Sequence, residues 1–271
     1  MTLIDGVPGK GIPVTDRGLN YGDGLFETVR LHQRAAPLLS RHLARLRAGC
    51  QRLGLPYPGD AALEADVRAL LSDGPEEGVL RLVLTRGDGG RGYAPPPGCR
   101  PRRILSVHPL PDSPPDGLRV GVCRTRIGRS PALAGLKHLG RLEQVLAAGE
   151  IARQGWDEGL MLDESDLVIE GSRHNLFYLR DERLLTPPLP AAGVAGVMRA
   201  LLLEIMQAAG LSGGEAPLRY HELHEIESMF LCNAVVGIRP VKALADRPLA
   251  PATVLPQLRA ALVEAGARWL A

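Results

Sequence analysis

A proline-rich stretch near the middle of the chain sets the strongest limit on how it can fold. Residues 109–117 read PLPDSPPDG, and four of these nine residues are proline. Proline lacks the N–H that a sheet requires, and it stiffens an extended backbone. The chain has 271 residues, which is enough for two modest domains. We therefore predict a smaller first domain over residues 1–112, a linker at 113–117 and a larger second domain over 118–271.

The first half of the sequence predicts a small α+β domain. Asp5-Gly6 predicts a hairpin turn. The run GLFETVRLH at 24–32 alternates in hydrophobicity, so Phe26, Thr28 and Arg30 share one face of a predicted strand. The elements expected after it are a helix with Ser40 as its N-cap, a helix at 61–71, and strands at 78–87 and 102–110.

The second half predicts a different mixture of helices and strands. Strands are expected at 118–123, 158–163, 167–170 and 175–180, and helices at 140–153, 197–209 and 253–270. The fold class is therefore α+β, with two unlike halves joined by the linker. A ligand cleft is expected where two such halves meet.

Composition and charge exclude several classes of function. The chain is 45% hydrophobic and 23% charged, and its net charge of +2 is too small to indicate a nucleic-acid or membrane partner. The sequence has neither a membrane-spanning run nor a secretory signal, so a cytoplasmic location is expected. The scattered cysteines favour reduced, mostly buried thiols over disulfides or zinc. These residues are Cys50, Cys99, Cys123 and Cys232. A small molecule is the expected partner.

Lysine is rare in this chain, and one of its lysines has an unusual setting. Among 32 lysine and arginine residues, lysine occurs only at Lys10, Lys137 and Lys242. Lys137 stands just before a predicted helix, where the helix dipole disfavours a cation by roughly 0.3–1 kcal/mol. A positive potential and partial burial both favour the neutral amine, which can act as nucleophile and base, as arginine cannot. A solvated surface lysine is the alternative interpretation.

Glu170 offers a partner for that lysine. It ends an apolar strand in LVIEGSRHNLFYL, a costly position for a carboxylate without a partner. A pyridine ring between Glu170 and Lys137 would satisfy both groups, as in pyridoxal phosphate (PLP) sites. The glycine-rich turn in AGVAGVMRALLLEIM at 192–206 could bind the phosphate through helix N–H groups. Arg45 could add a bidentate contact.

A metal site is the competing interpretation from another class. In HELHE, His221 and His224 could share one helix face. However, a third ligand is not apparent and the spacing is not H-E-x-x-H. A metal hydrolase and a cofactor-free binding module therefore stay as alternatives, and we expect no metal.

The sequence resembles the fold-type IV PLP enzymes, the family of branched-chain and D-amino-acid aminotransferases and of 4-amino-4-deoxychorismate lyases. The resemblance covers nearly the whole chain and rests on segments in the family's order. These are YGDGLFETVR, RHLARL, TRGDGGRGY, GLKHLGRLEQVLA, EGSRHNLF, AGVAGVMR and CNAVVGIRPV. It implies PLP as the cofactor, a smaller N-terminal α/β sandwich domain and a larger C-terminal pseudo-barrel domain. It also implies a homodimer in which the GDGGRGY loop reaches toward the neighbouring subunit.

The resemblance assigns roles to individual residues. Lys137 matches the lysine that binds the cofactor covalently, Glu170 the partner of the pyridine nitrogen, and Arg45 the phosphate arginine. The other phosphate contacts are expected from the backbone of Val197 and Met198 and from Asn233 and Ala234.

Two features favour the lyase branch of the family. The aminotransferases usually carry a hydroxyl residue where Met198 and Asn233 stand, and KHLGRLEQVLA and RGDGGRGY are close to the lyase pattern. The resemblance thus implies conversion of 4-amino-4-deoxychorismate to 4-aminobenzoate and pyruvate in folate biosynthesis. A D-amino-acid or branched-chain aminotransferase is the alternative.

The substrate is expected to meet two parts of the first domain. The resemblance implies that Arg91, with Tyr93, binds a substrate carboxylate, a role that suits the planar bidentate geometry of arginine; a solvent-facing loop cation is the alternative for Arg91. The resemblance also implies that Phe26 and Arg30 line the pocket. Thr28, on the same strand face, could relay a proton or orient a water, or it could be an ordinary strand threonine.

Overall fold

A hairpin opens the chain in the computed structural model, which describes residues 2–72, 74–112 and 117–270. Ile4 pairs with Val7, and the two residues between them, Asp5 and Gly6, have φ angles of 54° and 86°. These left-handed angles are those of a tight hairpin turn, which confirms the turn predicted here. The predicted linker at 113–117 lies outside the described residues except for Gly117, so it stays a prediction.

The chain divides into two compact units, called unit 1 and unit 2 below. Unit 1 comprises residues 1–111 and 136–140, and unit 2 comprises 112–135 and 141–271. The segment 136–140 contains Lys137 and lies in the range that the sequence assigned to the second domain. In the structure it groups with unit 1.

Unit 1 is built on a five-stranded antiparallel sheet with the strand order β2-β1-β5-β4-β3. Helices α2 and α3 contribute leucines to a core that the strands complete. The elements are β1 (Thr2–Ile4), β2 (Val7–Pro8), α1 (Arg17–Tyr21), β3 (Gly24–Leu31), α2 (Leu39–Leu53), α3 (Asp60–Leu71), β4 (Gly78–Thr85) and β5 (Arg102–His108).

Strand β3 confirms the predicted alternation. Phe26, Thr28 and Arg30 are half-buried, whereas Val29 and Leu31 are fully buried. The predicted N-cap of the next helix is wrong: α2 begins one residue before Ser40, and no side chain caps it.

Unit 2 contains a nine-stranded mixed sheet that curls into a half-barrel. Its path is β11-β10-β9-β12-β13-β6-β7-β8, and β14 pairs with β13. The elements are β6 (Leu118–Ile127), α4 (Leu142–Gln154), β7 (Glu158–Asp163), β8 (Val168–Gly171), β9 (Asn175–Arg180), β10 (Arg183–Thr186), α5 (Val197–Ala208), β11 (Gly213–Glu215), a 3-10 helix (Tyr220–Glu225), β12 (Ser228–Asn233), β13 (Gly237–Leu244), β14 (Arg247–Pro248), α6 (Leu255–Glu264) and a 3-10 helix (Arg268–Leu270).

Two parts of unit 2 differ from the sequence predictions. Strands β10 to β14 were not predicted. The helix predicted at 253–270 is shorter, because α6 ends at Glu264 and Gly266 has a left-handed φ of 74°. Among the described residues, no helix is both long and apolar enough to cross a bilayer. All four cysteines are free thiols and three are buried, as predicted.

Candidate active site

Lys137 lies in an extended segment of unit 1. Its backbone oxygen accepts a hydrogen bond from Phe26 N at 2.9 Å, and Leu139 N donates to Gly24 O at 3.0 Å. These two bonds place residues 136–140 beside the first residues of β3. Helix α4 begins only at Leu142, later than predicted. The backbone of β3, rather than a helix terminus, therefore positions this lysine.

The side chain of Lys137 is half-buried and lies over an aromatic ring. Its Nζ atom is 4.3 Å from the ring centroid of Phe26, and the guanidinium of Arg81 lies 4.6 Å from the same centroid. Both distances suit a cation–π interaction. Phe26 thus joins Lys137 to the strand face that also carries Thr28 and Arg30.

Arg30 already has a carboxylate partner. It donates from NH2 to Glu77 Oε2 at 2.7 Å, and His32 Nδ1 lies 2.6 Å from the other oxygen of Glu77. A substrate group would therefore compete with Glu77, and the expected role of Arg30 in binding stays a prediction.

The buried face of β3 carries a charged cluster that sequence analysis missed. Glu27 is 1% exposed; it accepts hydrogen bonds from Arg45 on both oxygens, and His42 Nδ1 lies 2.6 Å from Oε2. Burial alone would raise the pKa of the Glu27 carboxyl, but the charge of Arg45 and the hydrogen bond of His42 outweigh it and lower the pKa to about 2. Arg45 is thus oriented by a fixed anion.

Glu170 lies in unit 2, on β8, and is 4% exposed. Its Oε2 atom accepts a hydrogen bond from Val194 N at 2.8 Å and a longer one from Asn175 Nδ2 at 3.4 Å. Asn175 also donates to Val194 O at 2.9 Å, so one amide side chain fixes both the acid and the turn beside it. Asn175 was not predicted as a site residue. In the sequence, Asn175 directly follows EGSRH, the segment that begins with Glu170, and this position could have indicated it as a site residue.

The turn that contains Val194 leads into α5, the predicted phosphate helix. Gly196 is the N-cap, and no side chain of the described residues accepts a hydrogen bond there. A Cβ on Gly196 would lie 2.0 Å from Asn175 Oδ1, so a larger residue there would displace the amide that contacts Glu170. Val197 and Met198 begin the helix and are buried. An uncapped helix start favours an anion.

Asn233 ends β12 and shapes the turn into β13. Its Oδ1 atom accepts hydrogen bonds from Val235 N and Val236 N, both at 2.9 Å, and its Nδ2 donates to Arg173 O at 3.3 Å. The side chain thus organises the turn that includes Ala234. The phosphate contacts of Asn233 and Ala234 stay a prediction.

A second buried acid, Glu158, holds the turn between Glu170 and Asn175. His174 Nδ1 lies 2.6 Å from Glu158 Oε2, and Ser172 Oγ donates to Oε1 at 2.6 Å. Burial raises the pKa of Glu158, but these hydrogen bonds outweigh it, so its pKa lies below the usual value. Sequence analysis missed this cluster because its members are 14–16 residues apart.

The predicted substrate loop lies in unit 1 between β4 and β5. Arg91 is exposed and Tyr93 is 86% exposed, so both side chains are accessible to a ligand. The buried guanidinium of Arg17 donates to the backbone of this loop. Arg17 was not among the predicted residues.

Comparison with known proteins places the chain in a family. The model for the class IV amino-transferases matches residues 24–244, and the chain belongs to this family. A solved 4-amino-4-deoxychorismate lyase from Pseudomonas aeruginosa is 44% identical, with a TM-score of 0.92 over 97% of this chain and 98% of that one. The aminodeoxychorismate lyase of Vibrio harveyi is 34% identical over 90% of this chain and 91% of its own length.

Aminotransferases also resemble the chain. A PLP-bound structure of a hypothetical aminotransferase from Mycobacterium tuberculosis is 25% identical, with a TM-score of 0.79 over 96% of this chain and 94% of that one. Branched-chain-amino-acid aminotransferases match as well. The fold is therefore fold type IV, and the family is PLP-dependent.

The residues of this chain suit that cofactor. Unit 1 presents a half-buried primary amine, Lys137, over an aromatic ring. Unit 2 presents a buried carboxylate, Glu170, which Val194 N and Asn175 hold in place. The uncapped start of α5 provides N–H donors for a phosphate. In the part of the chain that the structure describes, no three or more side chains form a group able to hold a metal ion.

Proposed function

We propose that this chain is a PLP-dependent lyase that converts 4-amino-4-deoxychorismate to 4-aminobenzoate and pyruvate. The observation that carries the proposal is its 44% identity to the Pseudomonas aeruginosa lyase over nearly the full length of both chains. In this reaction one proton leaves the carbon that bears the amine. The departing enolpyruvate takes up one proton as it becomes pyruvate, so the reaction balances without water.

The proposal assigns cofactor roles to the residues described above. Lys137 binds PLP covalently and takes the substrate proton at Nζ, while Glu170 keeps the pyridine nitrogen protonated. PLP, when bound, accepts the electron pair left by the broken C–H bond. The phosphate contacts are assigned to Arg45, to the backbone N–H groups of Val197 and Met198, and to the turn at Asn233 and Ala234.

Substrate recognition is assigned to unit 1. Arg91, with Tyr93, binds a carboxylate of the substrate, which the exposure of both side chains supports. Phe26 and Arg30 line the pocket from β3. Thr28 lies between them on the same half-buried face and relays the proton toward the departing enol.

The proposal includes a cytoplasmic homodimer that acts in folate biosynthesis. Helix α4 supports the dimer, because its residues Leu142, Val145 and Leu146 are 77%, 63% and 62% exposed at the spacing of one helix face. Light scattering of the purified protein should give the mass of two chains. A monomeric mass at micromolar concentration would contradict the dimer.

The test is direct. Purified protein loaded with PLP receives 4-amino-4-deoxychorismate; 4-aminobenzoate is measured by chromatography and pyruvate by coupling to lactate dehydrogenase. We expect equal amounts of both products. The rival activity is tested with D-alanine or leucine plus 2-oxoglutarate. Rapid keto-acid formation without 4-aminobenzoate would establish an aminotransferase instead.

A further inference from the structure

Arg17, the first residue of α1, is a buried cation that holds a surface loop. It is 2% exposed. Its Nε atom donates to Asp23 Oδ2 at 2.9 Å, NH1 donates to Gly92 O at 3.1 Å, and NH2 donates to Tyr93 O at 2.6 Å. One rigid guanidinium thus binds a carboxylate and two consecutive loop carbonyls.

The carboxylate that orients Arg17 is itself fixed. Asp23 Oδ2 also accepts a hydrogen bond from Arg86 Nε at 2.8 Å. Arg86 donates in turn to Leu53 O at 2.9 Å and Gly54 O at 2.7 Å, at the end of α2. The loop is therefore connected to the helical layer of unit 1 through Arg17, Asp23 and Arg86. If Arg17 is removed, Asp23 keeps Arg86 as its counter-ion.

Packing reinforces the same arrangement. The Arg17 guanidinium lies 4.8 Å from the ring centroid of Tyr21, and that ring meets Tyr93 edge-on at 5.6 Å. A Cβ added at Gly89 would lie 2.4 Å from Arg17 Cδ. A Cβ at the neighbouring Gly90 would meet nothing within 4 Å. An added methyl group would therefore collide with Arg17 at Gly89 and enter open space at Gly90.

We propose that Arg17 is the positioning residue for substrate binding: it holds the carbonyls of Gly92 and Tyr93 so that Arg91 is presented to the substrate carboxylate. This inference rests on the proposed function for the role of Arg91. The loop around it, GDGGRGYAPPPG, is rich in glycine and would otherwise sample many conformations. Arg17 therefore acts through the loop without touching the substrate.

Two pairs of variants test the proposal in the PLP-loaded enzyme. Arg17→Lys keeps the positive charge but loses the planar guanidinium that donates to three acceptors. Its control is Arg68→Ala on α3, which removes an arginine whose side chain is 71% exposed. Gly89→Ala displaces Arg17 without changing it, and its control is Gly90→Ala. Neither glycine has a left-handed φ, so alanine is tolerated by the backbone at both positions.

Kinetics give the first measurement. We expect Arg17→Lys and Gly89→Ala to raise KM for 4-amino-4-deoxychorismate at least tenfold with kcat changed less than threefold. Arg68→Ala should match the wild type, and Gly90→Ala, which lies in the same loop, should raise KM less than threefold. In an Arg91→Ala background, Arg17→Lys should raise KM no further, because the two residues act through one contact. An unchanged KM in both variants, or a fully additive effect with Arg91→Ala, would overturn the proposal.

Proteolysis gives a second measurement that needs no substrate. Trypsin cuts after arginine unless proline follows; Arg100 precedes Pro101, and Arg86 is 6% exposed. Arg91 is therefore the exposed cleavage point of the loop. Cleavage there should be about tenfold faster in Arg17→Lys and Gly89→Ala than in the controls. Equal rates would mean that Arg17 does not hold the loop. If the wild type proves inactive on the substrate, the proposed function fails, and this measurement alone decides whether Arg17 holds the loop.

Discussion

Acidification should weaken unit 1, and the buried carboxylate of Glu27 should account for a measurable part of this effect. Its pKa falls from 4.5 to about 2 in the folded chain. Because the folded value is the lower one, Glu27 stabilises the folded state above about pH 4.5, and this contribution disappears as the pH falls toward 2. The difference in pKa corresponds to a free energy on the order of 3 kcal/mol. Roughly 2 kcal/mol of it should be lost by pH 3.

The variant Glu27→Gln isolates this contribution from those of other acids. It keeps the shape of the side chain but leaves Arg45 and His42 without their anion, so we expect a loss of about 3–5 kcal/mol at neutral pH. Since glutamine does not titrate, the stability difference between wild type and variant should shrink by about 2 kcal/mol between pH 7 and pH 3. The control is Glu64→Gln on α3, an acid whose side chain is 47% exposed. The free energy of unfolding of this control should stay within about 0.5 kcal/mol of the wild-type value at both pH values.

The assay must report on unit 1, because the two units need not unfold together. Both tryptophans lie in unit 2, so their fluorescence is unsuitable. Urea titrations at pH 7 and pH 3, read by hydrogen-exchange mass spectrometry on peptides from β3 and β4, give the free energy of unfolding of that sheet. A wild-type-to-variant difference that is the same at both pH values would refute the reasoning, since it would mean that the Glu27 carboxyl titrates alike in the folded and unfolded chain.

The remaining predictions concern the cofactor groups. Lys137→Ala should lose the visible absorbance of bound PLP and nearly all turnover. In the wild type, borohydride should trap the cofactor on the peptide that contains Lys137. Trapping on another residue would contradict the role of Lys137. Glu170→Gln should bind PLP but lose at least a hundredfold in kcat, and unchanged turnover would show that Glu170 is not the partner of the ring nitrogen. Gly193→Ala should lower stability by about 2–3 kcal/mol and weaken PLP binding, because φ is 84° and its Cβ would lie 2.7 Å from Ile169 Cγ2. The control is Gly210→Ala, where φ is 64° and a Cβ would enter open space. It should lower the free energy of unfolding by only about 1 kcal/mol and leave PLP binding unchanged. Equal losses of stability in the two variants, measured by thermal denaturation, would contradict the packing argument.

The sequence predicted those elements whose pattern is contained in a few neighbouring residues. The alternation in β3 and the Asp5-Gly6 turn depend on neighbouring residues only, and the structure confirms both. Strand β12, SMFLCN, contains a continuous apolar run and is buried along nearly its whole length, so it has no alternation of period two. Such strands are buried on both faces and do not reveal themselves by periodicity.

The site residues divide in the same way. The sequence singled out Lys137 and Glu170 as unusual by residue type and position. It did not identify Glu27 or Arg17, because the role of each depends on hydrogen-bond partners that are distant in the sequence. Arg17, for example, donates to carbonyls 75 and 76 residues away. The alternation of β3 puts Glu27 on the buried face with Val29 and Leu31, but only the fold shows that Arg45 and His42 are the partners of its carboxylate.

The pairing of segment 136–140 with β3 also affects how the chain matures on the ribosome. β3 is an edge strand of its sheet and is complete once residue 31 has been made, yet its partner follows about a hundred residues later. At about 5–20 residues per second, the nascent chain carries this bare edge for roughly 5–20 s. Exposed edges pair readily with other chains. The segment that carries Lys137 should therefore also shield the first residues of β3 from pairing with other chains, and translation stalled before residue 136 should yield a product that depends more on chaperones.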